Sequence, residues 1–169
     1  MTTVIDLGGA PANEECAQLG HTANFTRVNM FEVLAYRVAL IAVHGMPPEG
    51  CTLTPRANHH DFGTYYSLGL EISEQANLAA ARAYAEKVED GLESWLEAGM
   101  APPVIYGDGK GHIERNLTGV IRGALATTRP APDGTFPVPA FATLHANLAA
   151  AYPREAAQFR QAFHQGAAA

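Results

Sequence analysis

Residues 56–72 read RANHHDFGTYYSLGLEI and set two imidazoles and a carboxylate side by side, at His59, His60 and Asp61. Neutral imidazole nitrogens and an ionised aspartate are good ligands for zinc or iron, at about 2.0 to 2.2 Å. The metal set would therefore be His59, His60 and Asp61. Without a metal, the same residues form an acid/base couple, because an imidazole titrates near neutrality and a neighbouring carboxylate orients it. In that catalytic set His60 is the base, Asp61 its orienting partner, Arg56 the holder of an anionic substrate group, and Tyr65 a phenol close by. Neighbouring residues on a strand face opposite ways, so His59 and Asp61 share a side and His60 joins them only where the backbone turns. A further metal ligand has to come from a distant segment. His44, His112 and Glu114 are the candidates, and their spacing selects none of them.

The plain structural reading of the same stretch is a hairpin tip. Asn58 and Asp61 are residues whose side chains bond their own backbone in turns, Phe62 is apolar enough to tuck into a core, and Gly63 tolerates backbone angles that other residues resist. Other motifs fall away on inspection. GDGKGHIE at 107–114 offers Asp108 and Gly111 to a calcium loop, but Tyr106, Lys110 and Leu117 occupy positions that require oxygen ligands, and Pro102 and Pro103 stand where the entering helix belongs. A phosphate loop fails as well, since Gly109-Lys110 is followed by Gly111 and not by Ser or Thr. Tyr65, Tyr66, Tyr84 and Trp95 could form a base-stacking platform, yet each lies on or beside an amphipathic pattern that packing explains. No serine sits in a G-x-S-x-G elbow, and no histidine is paired by pattern with Cys51.

Residues 58–65, Asn58-His59-His60-Asp61-Phe62-Gly63-Thr64-Tyr65, resemble a stretch of uncharacterised bacterial proteins in which an apolar helix precedes Asn-x-His-Asp-Phe-Gly-x-Tyr and a long acidic helix follows. The likeness covers residues 25 to 100. No activity is attached to that group, so the resemblance implies only that His60, Asp61 and Tyr65 are the positions to test first.

The elements that must position these residues follow from periodicity. Residues 26–44 carry Phe31, Leu34, Val38 and Ile41 at helical spacing, widened by Met30, Val33, Leu40 and Val43, with Gly45 to end the helix. Its polar residues are few, which predicts a helix covered on more than one side. Residues 51–56 and 64–72 read as two antiparallel strands joined by ANHHDFG. A helix over 76–98 follows, capped by Ser73, with Leu78, Ala81, Ala85, Val88, Leu92 and Trp95 along one face and Gly99 beyond its end. PVIY and HIER suggest a second hairpin, and Asn116 can cap a short helix bearing Leu117, Val120, Ile121 and Leu125. Residues 1–24 read as an irregular arm and 128–140 as an extended, proline-rich connector. Two helical pieces, 140–151 and 153–164, close the chain, with Pro153 suited to a first turn. The fold class is therefore α+β: one domain over residues 1–169, a small antiparallel sheet packed against two long helices, with additional C-terminal helices.

A chain of 169 residues, 47% hydrophobic and 17% charged, is long enough for one well-cored domain. Its net charge of −6 gives no general attraction for nucleic acid or anionic lipid. Cys16 and Cys51 match neither a metal spacing nor a disulfide framework, and the N-terminal residues show no basic, apolar leader. VALIAV at 38–43 is far short of the roughly 20 residues that span a bilayer, so the expected location is the cytoplasm with no membrane association. No cofactor is specified. These features favour a non-catalytic binding or regulatory module with an unidentified protein or small-molecule partner, and association of copies through the apolar C-terminal helices. The rival is a metal-dependent or acid/base enzyme centred on His59, His60 and Asp61. The metal version predicts that zinc or iron copurifies near one equivalent and that His60→Ala loses it, as elemental analysis would read; metal-free protein would remove that version.

Overall fold

The computed structural model describes residues 2–8, 30–60, 63–88 and 117–167. Its element order is β1 (Thr3–Asp6), α1 (Met30–His44), β2 (Cys51–His60), β3 (Gly63–Ile72), α2 (Leu78–Lys87), α3 (Leu117–Thr127), α4 (Pro139–Ala151) and α5 (Pro153–Ala167). The three strands form one antiparallel sheet in the order β1-β3-β2. The α+β class, the small antiparallel sheet and the additional C-terminal helices all stand.

Alternation along β3 builds the sheet's inner face. Ile5, Leu70 and Leu53 align across the three strands, and Leu68 and Ile72 flank Leu70 on the same side. Leu53, Leu68, Leu70 and Ile72 are all buried, with 4% exposure or less. Against this face lies α1. Residues 38–42 are five consecutive buried positions, and since each step turns a helix by about 100°, they go all the way round it. Helix α1 is therefore enclosed, with the sheet on one side and α3 and α4 on another. Helix α5 packs behind α3 and α4, and α2 lies against β3.

A buried helix end must satisfy carbonyls that have no partner within the helix. At the end of α1, Gly45, with φ 78°, donates its N–H to the Ile41 carbonyl at 2.8 Å. Asn147 of α4 donates its side-chain Nδ2–H to the Ala42 carbonyl at 2.7 Å. Tyr84 of α2 donates its hydroxyl to the Gly45 carbonyl at 3.0 Å. Farther up α1, Arg37 donates to the Leu53 carbonyl of β2 at 3.3 Å and bonds the Tyr152 hydroxyl. Its Nε is buried and unpartnered.

Several expectations are corrected. Residues 3–6 of the anticipated irregular arm are the strand β1, because Val4 and Ile5 supply alternation enough to pair with the exposed side of β3. Residues 9–29, including Cys16 and the start expected for the first helix, lie outside the described residues. The strands are longer than 51–56 and 64–72: backbone pairing continues to His60 opposite Gly63, so most of ANHHDFG is strand and only Asp61 and Phe62, outside the described residues, connect the two. Helix α2 is capped by Asn77, whose Oδ1 accepts from Ala80 N at 3.1 Å, and not by Ser73, whose N–H is bound to the Gly50 carbonyl. Its continuation past Val88, the second hairpin and the cap at Asn116 lie outside the described residues. The proline-rich connector is not extended but folded back: Ala131 N–H bonds the Thr135 carbonyl at 2.6 Å and Gly134 N–H bonds the Ala131 carbonyl at 2.8 Å. Asp133 stabilises that turn by accepting from Thr135 N and Oγ1.

Gly50 links β2 to the entry of α2. Its φ is +79°, and an added Cβ would lie 2.8 Å from Ser73 Oγ, 2.9 Å from Ala76 Cβ and 3.1 Å from Ala76 Cα. Gly50→Ala is expected to lower stability by about 2 kcal/mol or more, through strain and backbone clash together. Gly123, in the exposed middle of α3 with nothing within 4 Å, gives the opposite sign: Gly123→Ala should raise stability by about 0.5–1 kcal/mol. Urea denaturation of both variants checks the pair.

Candidate functional site

The hairpin of β2 and β3 carries the residues singled out from sequence. Counting along the strand, Arg56, Asn58 and His60 occupy alternate positions on the sheet face opposite Leu53, and Tyr65 stands across from Asn58 on that face. His59 falls at a position of the other face, opposite Thr64. Asp61 lies outside the described residues. Register thus groups the positions of Arg56, His60 and Tyr65, but the Arg56 side chain leads elsewhere. A Cβ added at Gly69 would sit 2.6 Å from Arg56 Cδ and 3.3 Å from its Cγ, so the arginine stem lies across Gly69, on the side away from the hairpin tip.

His44 does not join the tip either. It closes α1 next to the turn that enters β2 at Cys51, while His60 is nine residues further along the strand, about 30 Å at strand rise. His112 and Glu114 lie outside the described residues. Among the described residues, no three or more His, Cys, Asp or Glu side chains gather to hold a metal. Cys51 is a free, half-buried thiol whose pKa is pushed up by burial, the opposite of what a nucleophilic cysteine needs.

A concave surface is found instead at the C-terminal end of the fold. A cleft of about 610 Å³ opens between the end of α3, the loop 129–137 and the last turns of α5. Pro130, Pro132 and Pro137 form one side, Ala162 and Phe163 the other, and among the described residues Arg129 is the one charged residue lining it. Its floor is held from behind by a row of rings. The rings of Phe136 and His145 lie 5.8 Å apart, those of His145 and Phe159 6.0 Å, and Phe159 stacks on Phe163 at 6.3 Å with 21° between planes. In the sequence, Phe159 and Phe163 stand four residues apart, the spacing of one helical face. No such signal marks His145 or Arg129, whose neighbours come from segments far apart in the chain.

Hydrogen bonding fixes the tautomer of His145. The Thr128 hydroxyl donates its single proton to the Ala124 carbonyl at 3.1 Å. Its oxygen then accepts from His145 Nδ1, 3.3 Å away, so the proton sits on Nδ1 and Nε2 carries the lone pair. Burial, and after it the positive field of Arg160, hold the His145 pKa below the usual imidazole range. Thr128 itself is fully buried.

No protein family, curated protein or solved structure matches this chain. Among the described residues, no helix is long and apolar enough to cross a membrane.

Removing the Thr128 hydroxyl while keeping its shape tests this arrangement. Thr128→Val should cost about 1–2 kcal/mol, the penalty for leaving His145 Nδ1–H without its acceptor. In a His145→Phe background the cost should shrink, a coupling that a double-mutant cycle by urea denaturation would show.

Proposed function

We propose that the protein is a non-catalytic binding module and that its ligand is a small organic anion with an aromatic body, held in the cleft between loop 129–137 and α5. The observation that carries this reading is the lining of the cleft. Three proline rings and Phe163 offer flat apolar contact, and Arg129 offers a guanidinium at the same surface. A volume of about 610 Å³ falls within the range common to small-molecule sites, about 300–1,000 Å³. Guanidinium recognises sulfonate, carboxylate or phosphate through paired N–H donors, while rings pack on proline and phenyl faces.

Local charge supports an anion. Residues 117–167 carry four arginines, at 122, 129, 154 and 160, against two carboxylates, Asp133 and Glu155, although the chain as a whole has a net charge of −6. Asp133 is turned to Thr135, whose two hydrogen bonds also draw its pKa down. Residues 117–167, which build the cleft, are thus net positive on a chain that is acidic overall, which favours a small anion at this end of the fold.

The second reading, acid/base chemistry at the hairpin, is favoured by one observation: the register positions of His60 and Tyr65 share a sheet face. In that reading His60 is the base and Tyr65 the group beside it, with Asp61 orienting the imidazole. Arg56 has a position on that same face, but its stem lies across Gly69, away from the hairpin tip, and so takes no part in this couple.

Naphthalenesulfonate and neutral naphthalenemethanol, titrated at pH 7 by NMR, test the cleft. The sulfonate should shift the amides of residues 126–137 and 162–166, should bind roughly tenfold more tightly than the alcohol, about 1.4 kcal/mol for one charge-assisted contact, and should lose that advantage in Arg129→Gln. Absence of shifts at millimolar sulfonate would overturn the reading.

A further inference from the structure

His145 does not line the cleft, but it contacts one residue from each of the three segments that do. Thr128, its hydrogen-bond partner, lies between the cleft residues Thr127 and Arg129. Phe136, whose ring lies against that of His145, precedes the cleft residue Pro137. Phe159, also against the His145 ring, stacks on the cleft residue Phe163 one turn further along α5. One imidazole on α4 therefore ties together the end of α3, the proline-rich loop and α5.

We propose that His145 is a pH-responsive latch: as a neutral imidazole it holds the loop 128–138 against α4 and α5, and its protonation releases the loop and opens the wall of the cleft. This inference rests on the cleft reading for its consequence, the regulation of ligand binding, but the latch itself can be measured without a ligand.

The groups that face His145 set the direction. From α3 comes the Thr128 hydroxyl, already committed to Ala124; from the loop, the phenyl ring of Phe136; from α5, the phenyl ring of Phe159 and the charge of Arg160. Helix α4 itself carries no charged residue. A second positive charge placed here meets a cation and two hydrocarbon rings, and among the described residues none of the groups facing the ring is a carboxylate.

The sign follows from linkage. The closed arrangement prefers neutral His145, so its folded pKa lies below the value in an open or unfolded chain. Stability from the latch is complete above the ordinary imidazole pKa, about 6.5, and is lost as pH falls through that value towards the lower, folded one. Acidification from pH 7 to pH 5 loosens the loop, and neutralisation restores it.

Amide hydrogen exchange at Ala131, Gly134 and Thr135, corrected for the intrinsic pH dependence of exchange, reads the loop in the ligand-free chain. Protection in the wild type should fall several-fold between pH 7 and pH 5. His145→Asn keeps a side-chain N–H at the Nδ1 position for Thr128 but does not titrate, so its loop protection should stay level over the same range; an equal fall in wild type and variant would overturn the latch. NMR titration of the wild-type His145 ring gives a second reading that does not depend on a variant folding. Loop amide shifts that follow the inflection of the His145 ring support the proposal, and loop shifts that follow another inflection overturn it. Naphthalenesulfonate, ionised across this range, separates the two readings. A failure to bind at pH 7 sinks the cleft reading alone; binding at pH 7 that weakens at pH 5 in the wild type but not in His145→Asn joins the two. Tighter binding at pH 5 would mean that His145 acts as a second cation for the ligand, and would overturn release of the loop.

Discussion

The enclosure of α1 is the constraint on which the rest of the structure depends. A helix buried round its whole circumference brings a large apolar area out of water, and with it polar backbone groups that water can no longer reach. Inside the helix these groups pair with one another. At its C-terminal end they cannot, and partners must be supplied from outside. Asn147 and Tyr84 supply two of them. These side chains come from α4 and α2, so the same bonds that satisfy the end of α1 also fix where those helices lie. Removing Asn147 would leave the carbonyl of the buried Ala42 without this donor, which is costlier than the hydrogen bond itself is stabilising.

Placement of α4 then determines the far end of the molecule. Asn147 reaches towards α1, while His145, two residues earlier and so about 200° round the helix, reaches towards α3, the loop and α5. One helix thereby connects the central core to the wall of the cleft. Proline supports this division of labour. Pro139 and Pro153 begin α4 and α5, where a missing N–H costs nothing. Pro130, Pro132 and Pro137 restrict the loop between α3 and α4, so that few bonds are required to hold its shape.

The sheet handles its edges in a different way. Among the described residues β2 is an edge strand and carries Pro55 in its middle; Pro55 is opposite Leu68, whose backbone bonds run to the β1 side, so the missing N–H is on the outer edge, where it discourages addition of a further strand. β1, on the other edge, is only four residues long. The outer face of the sheet is mostly polar, and at its centre Gly69 leaves room for the stem of Arg56 and the methyl groups of Val4 to cover the strand. That use of Arg56 as a cover, with its charge in solvent, is a packing role for a residue that could also have bound an anion.

Period and punctuation encode local structure, and that much is legible in the amino acids alone. The core helix ending at Gly45, the alternation that makes 64–72 a strand, the apolar face of the short helix at 117–127 and the break at Pro153 are all readable because each depends on neighbours within one or two turns. Strand limits were not readable. Asn58, His59 and His60 have turn-forming chemistry, and they are strand only because a ladder begun at Cys51 and Ile72 continues through them. β1 was missed for the same reason, since four residues acquire a strand's geometry only from the partner they pair with. The chemistry of the candidate site shows the limit most clearly. His59, His60 and Asp61 drew notice because they are adjacent in the chain, whereas His145, Thr128, Phe136 and Phe159 matter because they are adjacent in space. Only the tertiary structure could decide that, because burial, tautomer and electrostatic field belong to the assembled neighbours of a residue and not to the residue type.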